Sequence, residues 1–478
     1  MQIFLQGKLL GIEEFLLAPA TSDPDQVFLG RSHWISLLSE VLPRALLAEL
    51  GLAKILLGSS GGGQFLVLLP EESRASAEAV LEAASAEITA LSGGAVRLIW
   101  SATENLGDWS DVRKRLSAQM DVRRGAPGYS PEVRQDAVSA DAYFAHVLGW
   151  NLREVKSVGW SPEAAGRIQL NEGKHVWDLG RGADALPFVH HTALDESGAQ
   201  PASSEIVASR AKGLPTWGVL RGDVDNFGIR IRRAQSIEEH IQLSVMYKNF
   251  FAGELDVQCS LPDYFRKVTV IYSGSDDFAV FGAWDALIGL AREIERVFHL
   301  FAGQNLKEFA GLEAKTITMA LAVAPARDAS LGSVFEEAGR RLESAKAADK
   351  DSFWLLGRTL EWRQFSDASD LKDLLLRMIS EYDCSPQYLR DICGIYRETQ
   401  AKMSKRQARR TGGERPWRYH RRLRRILSAA RPATARARQD YQKARAALIA
   451  DLIGRSAVTV KLRPAGRVAL EWARLSSE

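Results

Sequence analysis

The chain of 478 residues is long enough for about three domains, and its 46% hydrophobic and 25% charged residues are ordinary for a soluble globular protein. No apolar run reaches the ~18 residues of a membrane-spanning helix and the first residues lack the basic start of a signal peptide, so we expect a cytoplasmic protein without a membrane partner. The net charge is only +3, and the three cysteines are too few and too scattered for a disulfide framework or a Cys-x-x-Cys zinc site.

Residues 1–125 alternate strand and helix patterns in the order β-α-β-β-α-β, which is typical of a ferredoxin-like sheet covered on one face by helices. The predicted elements are strand Gln2–Gly7, helix Arg31–Leu50, hairpin Lys54–Leu69, helix Glu72–Leu91, strand Ala95–Ser101 and helix Trp109–Arg123.

Residues 126–213 are less informative. The predicted elements are a helix over Ala140–Val155, short strands over Lys174–Leu179 and Ala185–Leu194, and a connection over Ser197–Ser204. No cysteine or carboxylate falls at ligand spacing around His175, His190 and His191, so the sequence does not favour a metal site here.

The next segment contains the acidic residues that dominate the functional prediction. A buried-type strand from Trp217 ends on Asp223 and Asp225, and about fifty residues later a hairpin has Asp276 and Asp277 at its tip. Adjacent carboxylates repel each other, so a metal cation is their natural partner. Asp and Gly are also ordinary turn residues, and each half alone could be a plain turn. Together they suggest the way in which palm-type polymerases and nucleotide cyclases hold two Mg²⁺ ions.

The predicted elements around this hairpin complete a second β-α-β-β-α-β unit over about 214–360. They are a helix through Leu243–Phe251, a helix over Trp284–Gly303, strand Thr316–Val323, helix Ser333–Ala348 and the strand-like Ser352–Leu356. Lys346 and Lys350 follow near the end of the last helix. A lysine there is usually a solvated charge, but in a palm this helix end can reach the triphosphate.

The two predicted hairpins align without a gap, with Ser60-Gly61-Gly62-Gly63-Gln64-Phe65 on Ser273-Gly274-Ser275-Asp276-Asp277-Phe278. Lys8 of the first strand corresponds to Asp223. The sequence therefore predicts a duplicated unit whose first copy lacks the acids and cannot bind the metals. Its turn Gly61–Gly63 could place backbone N–H groups against a phosphate or nucleobase, although a tight structural turn is an equally open alternative.

From residue 361 the pattern is helical, and positive charge is concentrated there. The predicted helices are Ala368–Glu381, Pro386–Gln407, Trp417–Ala430 and Ala433–Gly454, followed by the strand-like Ala457–Leu462. The stretch from Lys402 to Arg445 contains sixteen Lys and Arg residues and two acidic residues, which gives it a net charge of +14. The remainder of the chain therefore has a net charge of −11. Basic helices are often only solvated, but this density favours a polyanion such as RNA. The candidate RNA-binding residues are Arg418, Arg421, Arg422, Arg424 and Arg425, which Trp417 and Tyr419 accompany for base stacking.

Taken together, these motifs resemble the large subunit of type III CRISPR effector complexes. The resemblance covers nearly the whole chain and is most specific in Gly30–Leu38, Gly218–Gly228, Gly274–Asp277 and Trp417–Leu423. It implies an α+β fold with two ferredoxin-like palm domains, the first degenerate and the second catalytic, an intervening α/β insert and a C-terminal helical domain. The boundaries predicted on this basis are 1–125, 126–213, 214–360 and 361–478.

The resemblance also implies a function and its residues. A complex programmed by guide CRISPR RNA, with other type III subunits, would bind target RNA and then polymerise ATP into cyclic oligoadenylates. Asp223, Asp276 and Asp277 would be catalytic and would bind Mg²⁺ or Mn²⁺, with the Val224 carbonyl as a further ligand. The implied nucleotide-binding residues are Val224, Asn226, Phe227, Gly228, Ser273, Gly274, Ser275, Lys346, Lys350, Gly61, Gly62 and Gly63.

Three departures from the family pattern matter. The usual Gly-Gly-Asp-Asp is Gly-Ser-Asp-Asp here, so Ser275 adds a side chain where substrate approaches the backbone. The chain has no His-Asp pair of a nuclease domain, and it lacks the four-cysteine zinc site common between the palms. Two alternatives therefore stay open: a structural subunit that anchors guide and target RNA with an inactive palm, and a diguanylate-cyclase-like enzyme acting alone, which would not need a basic domain or a second palm.

Overall fold

The computed structural model describes residues 1–125, 137–180, 184–309, 311–395, 416–428, 434–453 and 464–478. The chain is mixed α+β, as predicted, and forms two compact units. The first unit comprises Met1–Arg210, Thr216–Ile317 and Val323–Arg340, and the second comprises Ala211–Pro215, Thr318–Ala322 and Arg341–Glu478. The four boundaries expected from the sequence stay predictions.

The N-terminal part of the first unit has the predicted β-α-β-β-α-β order. Its antiparallel sheet runs β2-β3-β1-β4, with β1 Gln2–Leu10, β2 Leu57–Gly61, β3 Gln64–Pro70 and β4 Arg97–Glu104. The helices are α1 Ile12–Leu16, α2 Pro24–Glu49, α3 Arg74–Leu91 and α4 Trp109–Gly125. Helix α2 begins earlier than predicted, with a proline at its start, and is buried along most of its length, so no polar stripe marks its first turns.

A small sheet and a π-helical segment follow in the first unit. The elements are α5 Ala137–Ala142, π-helical Tyr143–Asn151, β5 Ser157–Trp160, β6 Gln169–Leu170 and β7 His175–Asp178, and the sheet order is β6-β5-β7. The predicted strand Ala185–Leu194 is wrong, because only isolated bridges occur at Leu186 and Leu194. The apolar side chains there enter the core, but Pro187 has no backbone N–H to give to a ladder.

The second sheet of the first unit repeats the same strand order. Strand β10 (Asp277–Ala283) lies antiparallel between β8 (Trp217–Val224) and β9 (Val268–Ser273). Hydrogen bonds from Asp225 N to Thr316 O (2.9 Å) and from Ala324 N to Trp217 O (2.8 Å) connect the ends of β8 to the residues that flank β11 (Ile317–Val323). Within the first unit, the order β8-β10-β9 matches β1-β3-β2. The helices are α6 Ser204–Ser209, α7 Phe227–Arg232, α8 Ile237–Cys259, α9 Trp284–Asn305 and α10 Leu331–Ala348.

In the second unit, the centre of β11 pairs in parallel with β12 (Ser352–Leu355), which pairs antiparallel with β13 (Arg358–Glu361). The helices are α11 Trp362–Ser380, α12 over 387–395, α13 Pro416–Ile426, α14 Ala435–Ile453 and α15 Pro464–Ser477. Phe365 of α11 stacks on Trp472 of α15 with ring centroids 5.7 Å apart. The predicted strand Ala457–Leu462 lies outside the described residues, and α15 was not predicted.

Two further findings concern the cysteines and the hydropathy of the helices. Cys259, Cys384 and Cys393 are all buried in the core. In the part of the chain that the structure describes, no helix combines the length and hydropathy needed to cross a bilayer.

Candidate active site

The structure brings the three predicted metal ligands to one end of the second sheet. Asp223 on β8 and Asp277 on β10 are directly opposite in the antiparallel register. Side chains at such positions share one face, with Cβ atoms about 4.5–5.5 Å apart. Val224 N donates to Asp276 O at 2.8 Å, which ties the hairpin tip to the end of β8. The three carboxylates therefore lie around a single cavity.

Two hydroxyl groups orient two of these carboxylates. The Tyr272 hydroxyl donates to Asp277 Oδ2 at 3.0 Å, and Ser275 Oγ donates to Asp276 Oδ1 at 3.0 Å. Burial and the negative charge of Asp277 raise the pKa of Tyr272, so its hydroxyl stays protonated and able to donate at neutral pH.

The fourth acid of the strand end, Asp225, has a different environment. It is buried, its Oδ2 accepts from Thr316 Oγ1 at 2.8 Å, and its backbone bonds to Thr316 and Ala314. It is not part of the cavity wall. Asp225 therefore fixes the β8 end to the start of β11.

Glycine is required at Gly274 of the acidic hairpin. A Cβ atom there would lie 2.1 Å from Asp277 Oδ1, a separation that real Cβ contacts do not show. Gly274 N also donates to Asp277 O at 2.7 Å, which closes the turn. The glycine thus leaves the space that the Asp277 carboxylate occupies.

The glycine-rich turn of the first sheet faces the acidic hairpin. Gly61, Gly62 and Gly63 all have positive φ angles (124°, 58° and 74°). A Cβ atom on Gly62 would lie 3.5 Å from Ser275 Oγ, so the two turns are in close approach. Gly63 N donates to Ser39 Oγ at 3.1 Å, which holds the turn on α2.

A cavity of about 310 Å³ lies between the two turns. Nine predicted site residues line it: Gly61, Gly62, Gly63, Asp223, Ser273, Gly274, Ser275, Asp276 and Asp277. A second cavity of about 250 Å³ shares Gly61, Ser275 and Asp276 with the first and adds Phe227 and Gly228. Asn226, which precedes α7, is left-handed with φ 60°.

Sixteen lining residues were not among the predicted site residues, and they include Glu40, Arg221, Lys248 and Tyr272. Arg221 lies two residues before Asp223 on β8, so strand alternation could have placed both on one face. Its guanidinium lies 4.2 Å from the Phe335 ring centroid. Glu40 and Lys248 are 208 positions apart in the chain, and no local pattern connects them.

The remaining predicted residues are not in the lining of either cavity. Val224 is buried at the end of β8. Lys346 and Lys350 belong to the second unit, where Lys346 Nζ lies 3.7 Å from Glu343 Oε1. All five candidate RNA-binding arginines belong to α13, where Arg421, Arg424 and Arg425 are exposed and Arg422 is half-buried. Their roles stay predictions.

The donor chemistry of the cavity fits a hard divalent cation. Across the described ranges, no group of three or more His, Cys, Asp or Glu side chains is arranged to hold a metal ion. Mg²⁺ does not need such a cage, because it is commonly bound by one or two carboxylates together with water and substrate phosphates. Asp223, Asp276 and Asp277 offer only carboxylate oxygens, the ligand type that Mg²⁺ prefers.

Comparison with known proteins identifies the second sheet. Residues 216–354 match the family described as Cas10/Cmr2, second palm domain. The Cas10/Csm1 single-strand-specific deoxyribonuclease of a subtype III-A CRISPR system from Enterococcus italicus is 29% identical over 164 residues, 33% of this chain and 20% of that protein. The protein of the same name from Mycobacterium tuberculosis is 24% identical over 392 residues, 63% of this chain and 48% of its own length. The matches span less than half of these relatives.

Solved structures of Csm1–Csm4 have the same fold. The Csm1–Csm4 subcomplex of the type III-A CRISPR–Csm interference complex matches with a TM-score of 0.71 at 16% identity, over 100% of this chain and 70% of that chain. The Csm1–Csm4 cassette in complex with cA4 matches with a TM-score of 0.72 at 15% identity over the same shares. The chain therefore contains a segment, residues 216–354, that matches the second palm domain of Cas10/Cmr2 proteins, and it is similar to Cas10/Csm1 proteins of type III-A CRISPR systems in sequence and fold.

Proposed function

We propose that this chain is a metal-dependent nucleotidyltransferase that polymerises ATP into cyclic oligoadenylates when a guide-RNA-programmed type III complex binds target RNA. The main support is the pair Asp223 and Asp277, which face each other across β8 and β10, with Asp276 and the glycine turn Gly61–Gly63 on the same cavity. Neighbours of the same fold were solved with AMPPNP and with cA4.

In this proposal the reaction joins two nucleotides. The 3′-oxygen of one ATP forms a bond to the α-phosphorus of another, the bond from that phosphorus to pyrophosphate breaks, and the proton of the 3′-hydroxyl passes to solvent water. Mg²⁺ or Mn²⁺ bound by Asp223, Asp276 and Asp277 would neutralise charge on the α-phosphate and on the leaving pyrophosphate. No side-chain nucleophile is required.

The residues of the chain position these groups. Tyr272 fixes Asp277, and Ser275 fixes Asp276, through the hydrogen bonds that their hydroxyls donate. Backbone N–H groups of Gly61, Gly62 and Asn226–Gly228 would hold phosphates, whereas the Gly63 N–H donates to Ser39 Oγ. We also propose that the N-terminal sheet is a degenerate palm, because its order β1-β3-β2 equals β8-β10-β9 of the second palm while its hairpin has no acids.

The decisive experiment uses the full chain assembled with its guide RNA and partner subunits. Labelled ATP is incubated with Mg²⁺ or Mn²⁺, with and without target RNA, and the products are identified by mass spectrometry. We expect cyclic oligoadenylates only with target RNA. Their absence under all these conditions would overturn the proposed activity.

For the nucleic-acid partner, we propose that α13 contacts RNA through its arginines. Replacing Arg421, Arg422, Arg424 and Arg425 by Gln should weaken RNA binding and flatten its salt dependence by about 0.7 in the logarithmic slope for each lost phosphate contact. Unchanged affinity and slope would exclude this contact.

A second candidate function is a structural subunit that anchors guide and target RNA without catalysis. The hydrogen bond from Ser275 to Asp276 Oδ1 favours it, because it engages one oxygen that a metal would use. The same assay distinguishes the two functions, since a structural subunit would support assembly and RNA binding while making no nucleotide product.

A further inference from the structure

A buried charged cluster lies behind the glycine turn of the first sheet. Four side chains form it, and all three donors converge on Glu40 Oε2: Lys248 Nζ at 2.6 Å, Arg44 Nη1 at 2.8 Å and Ser60 Oγ at 2.9 Å. Lys248 Nζ also donates to Ser60 Oγ at 3.0 Å. A Cβ atom on Gly61 would lie 3.4 Å from Glu40 Oε1, so the cluster contacts the turn directly.

The charges of this cluster do not balance. Two cations, Arg44 and Lys248, face one carboxylate, and the exposed fractions of the Arg44, Glu40 and Lys248 side chains are only 18%, 6% and 13%. An excess positive charge in a poorly solvated place is unfavourable unless an anion compensates it. Lys248 and Glu40 both line the cavity between the turns, so an anion in that cavity can supply the compensation.

Lys248 can leave Glu40 without exposing an unpaired carboxylate. Arg44 and Ser60 would still donate to Glu40 Oε2. Burial raises the pKa of Glu40, but Lys248 and Arg44 outweigh it and hold that pKa below its ordinary value. An ammonium has three N–H donors. Within the described part of the chain, Lys248 Nζ donates one hydrogen bond to Glu40 and one to Ser60.

We propose that Lys248 is a phosphate ligand of the nucleotide that rests on the Gly61–Gly63 turn, and that Glu40 is its resting partner when no nucleotide is present. The inference rests on the proposed function for the identity of the ligand, but it concerns binding and not the transfer step. In this proposal the Lys248 ammonium donates charge-assisted hydrogen bonds to the polyphosphate of the nucleotide.

The test measures binding of AMPPNP with Mg²⁺ to the full chain by titration calorimetry, with the melting temperature of each variant as the folding control. Lys248→Met should weaken binding about tenfold, the usual cost of one charge-assisted contact, whereas Lys248→Arg should stay within about threefold. Glu40→Gln keeps an acceptor for Arg44 and Ser60 but releases Lys248, so affinity should be unchanged or higher. Lys267→Met is the matched control, since it breaks the ion pair of Lys267 with Asp285 (3.6 Å) outside this cavity.

A merely structural ion pair would give a different pattern. Glu40→Gln and Lys248→Met would then weaken AMPPNP binding equally, and the double variant would recover part of the loss; this result would overturn the inference. If the wild-type chain binds AMPPNP but makes no oligoadenylate, the proposed activity fails while the effect of Lys248→Met still decides the role of Lys248. Failure of the wild-type chain to bind AMPPNP would overturn both.

Discussion

The hairpins of the two sheets share one backbone register and differ in the side chains that it presents. In the first sheet Gly7 is opposite Phe65 and Lys8 is opposite Gln64, and in the second Gly222 is opposite Phe278 and Asp223 is opposite Asp277. The same cross-strand position is therefore cationic and amide-bearing in one sheet and doubly acidic in the other. Since the fold is repeated and the acids are not, we expect metal chemistry to depend on the side-chain pair and not on the strand arrangement.

The turns that directly precede Gln64 and Asp277 also differ. The first contains three glycines with positive φ angles, whereas in the second only Gly274 remains and Ser275 occupies the next position. A glycine turn exposes backbone N–H groups, which suit phosphate, while the acidic turn offers carboxylates, which suit a cation. Each turn thus offers what the other lacks, and the predictions below separate the two contributions.

The largest expected effect comes from Asp276→Asn with Asp277→Asn. The shape is kept and two negative charges are lost, so Mn²⁺ binding should fall and oligoadenylate synthesis should drop by at least about a hundredfold, as for removal of an electrostatic group in other enzymes. RNA binding through α13 should persist.

The matched control changes the corresponding position of the first hairpin, with Lys8→Met and Gln64→Leu. Metal affinity should not change there. Equal loss of Mn²⁺ binding in both variants, measured by electron paramagnetic resonance, would contradict the division of roles between the hairpins.

The sequence predicted the features that have local signals and missed the contacts that form only through packing. The order of strands and helices along the chain and the convergence of Asp223, Asp276 and Asp277 could be predicted, because alternation, turn residues and the aligned hairpins are local signals. Tyr272 is only four residues from Asp276, but a tyrosine in a strand is ordinary, so nothing marked its hydroxyl as a partner of Asp277. Lys248 and Glu40 meet only through the packing of α8 and α2, and that contact has no sequence signature.

The misassigned elements have physical reasons as well. The predicted strand Ala185–Leu194 has apolar residues that enter the core, but burial alone does not supply a ladder partner. Helix α2 is buried on nearly all sides, so its start had no amphipathic pattern to mark it.

The next largest effect compares one glycine from each hairpin. Gly274→Ala would place a Cβ atom 2.1 Å from Asp277 Oδ1, so the carboxylate or the turn must move. We expect turnover and Mn²⁺ affinity to fall by about tenfold or more, as when the supporting contacts of a metal ligand are lost.

Its counterpart in the first hairpin is Gly62→Ala. Its Cβ atom would meet only Ser275 Oγ at 3.5 Å, an ordinary contact, but its φ of 58° costs about 1 kcal/mol of folding free energy for a residue with a Cβ. We expect a raised apparent KM for ATP or shorter products with unchanged Mn²⁺ affinity. If Gly62→Ala instead abolished metal binding while Gly274→Ala did not, the assignment of phosphate to one turn and metal to the other would be reversed.

Tyr272→Phe tests a contact that only the acidic hairpin has. It removes the hydroxyl that donates to Asp277 Oδ2 at 3.0 Å and keeps the ring, so the fold should be retained. Loss of such a supporting hydrogen bond typically lowers metal affinity or activity by about 10- to 100-fold, and we expect the lower end of this range. Calorimetric Mn²⁺ titration measures it, and an affinity equal to that of the wild type would show that Asp277 is held by other contacts.

The smallest expected effect is that of Ser275→Gly, which makes the acidic turn more like the glycine turn that it faces. Ser275 Oγ donates to Asp276 Oδ1 at 3.0 Å and approaches Gly62, so its removal frees one carboxylate oxygen and opens the space between the turns. ATP turnover should rise by no more than a few-fold, or stay equal, because close backbone approach is restored while all three acids remain. Ser275→Ala separates the two causes, since it removes the hydroxyl but keeps the Cβ atom. If ATP turnover rises in both variants, the effect comes from the loss of the hydrogen bond. If it rises only in Ser275→Gly, the effect comes from the added space between the turns. Loss of activity in both variants would instead make the Ser275 hydroxyl a functional positioning group for Asp276.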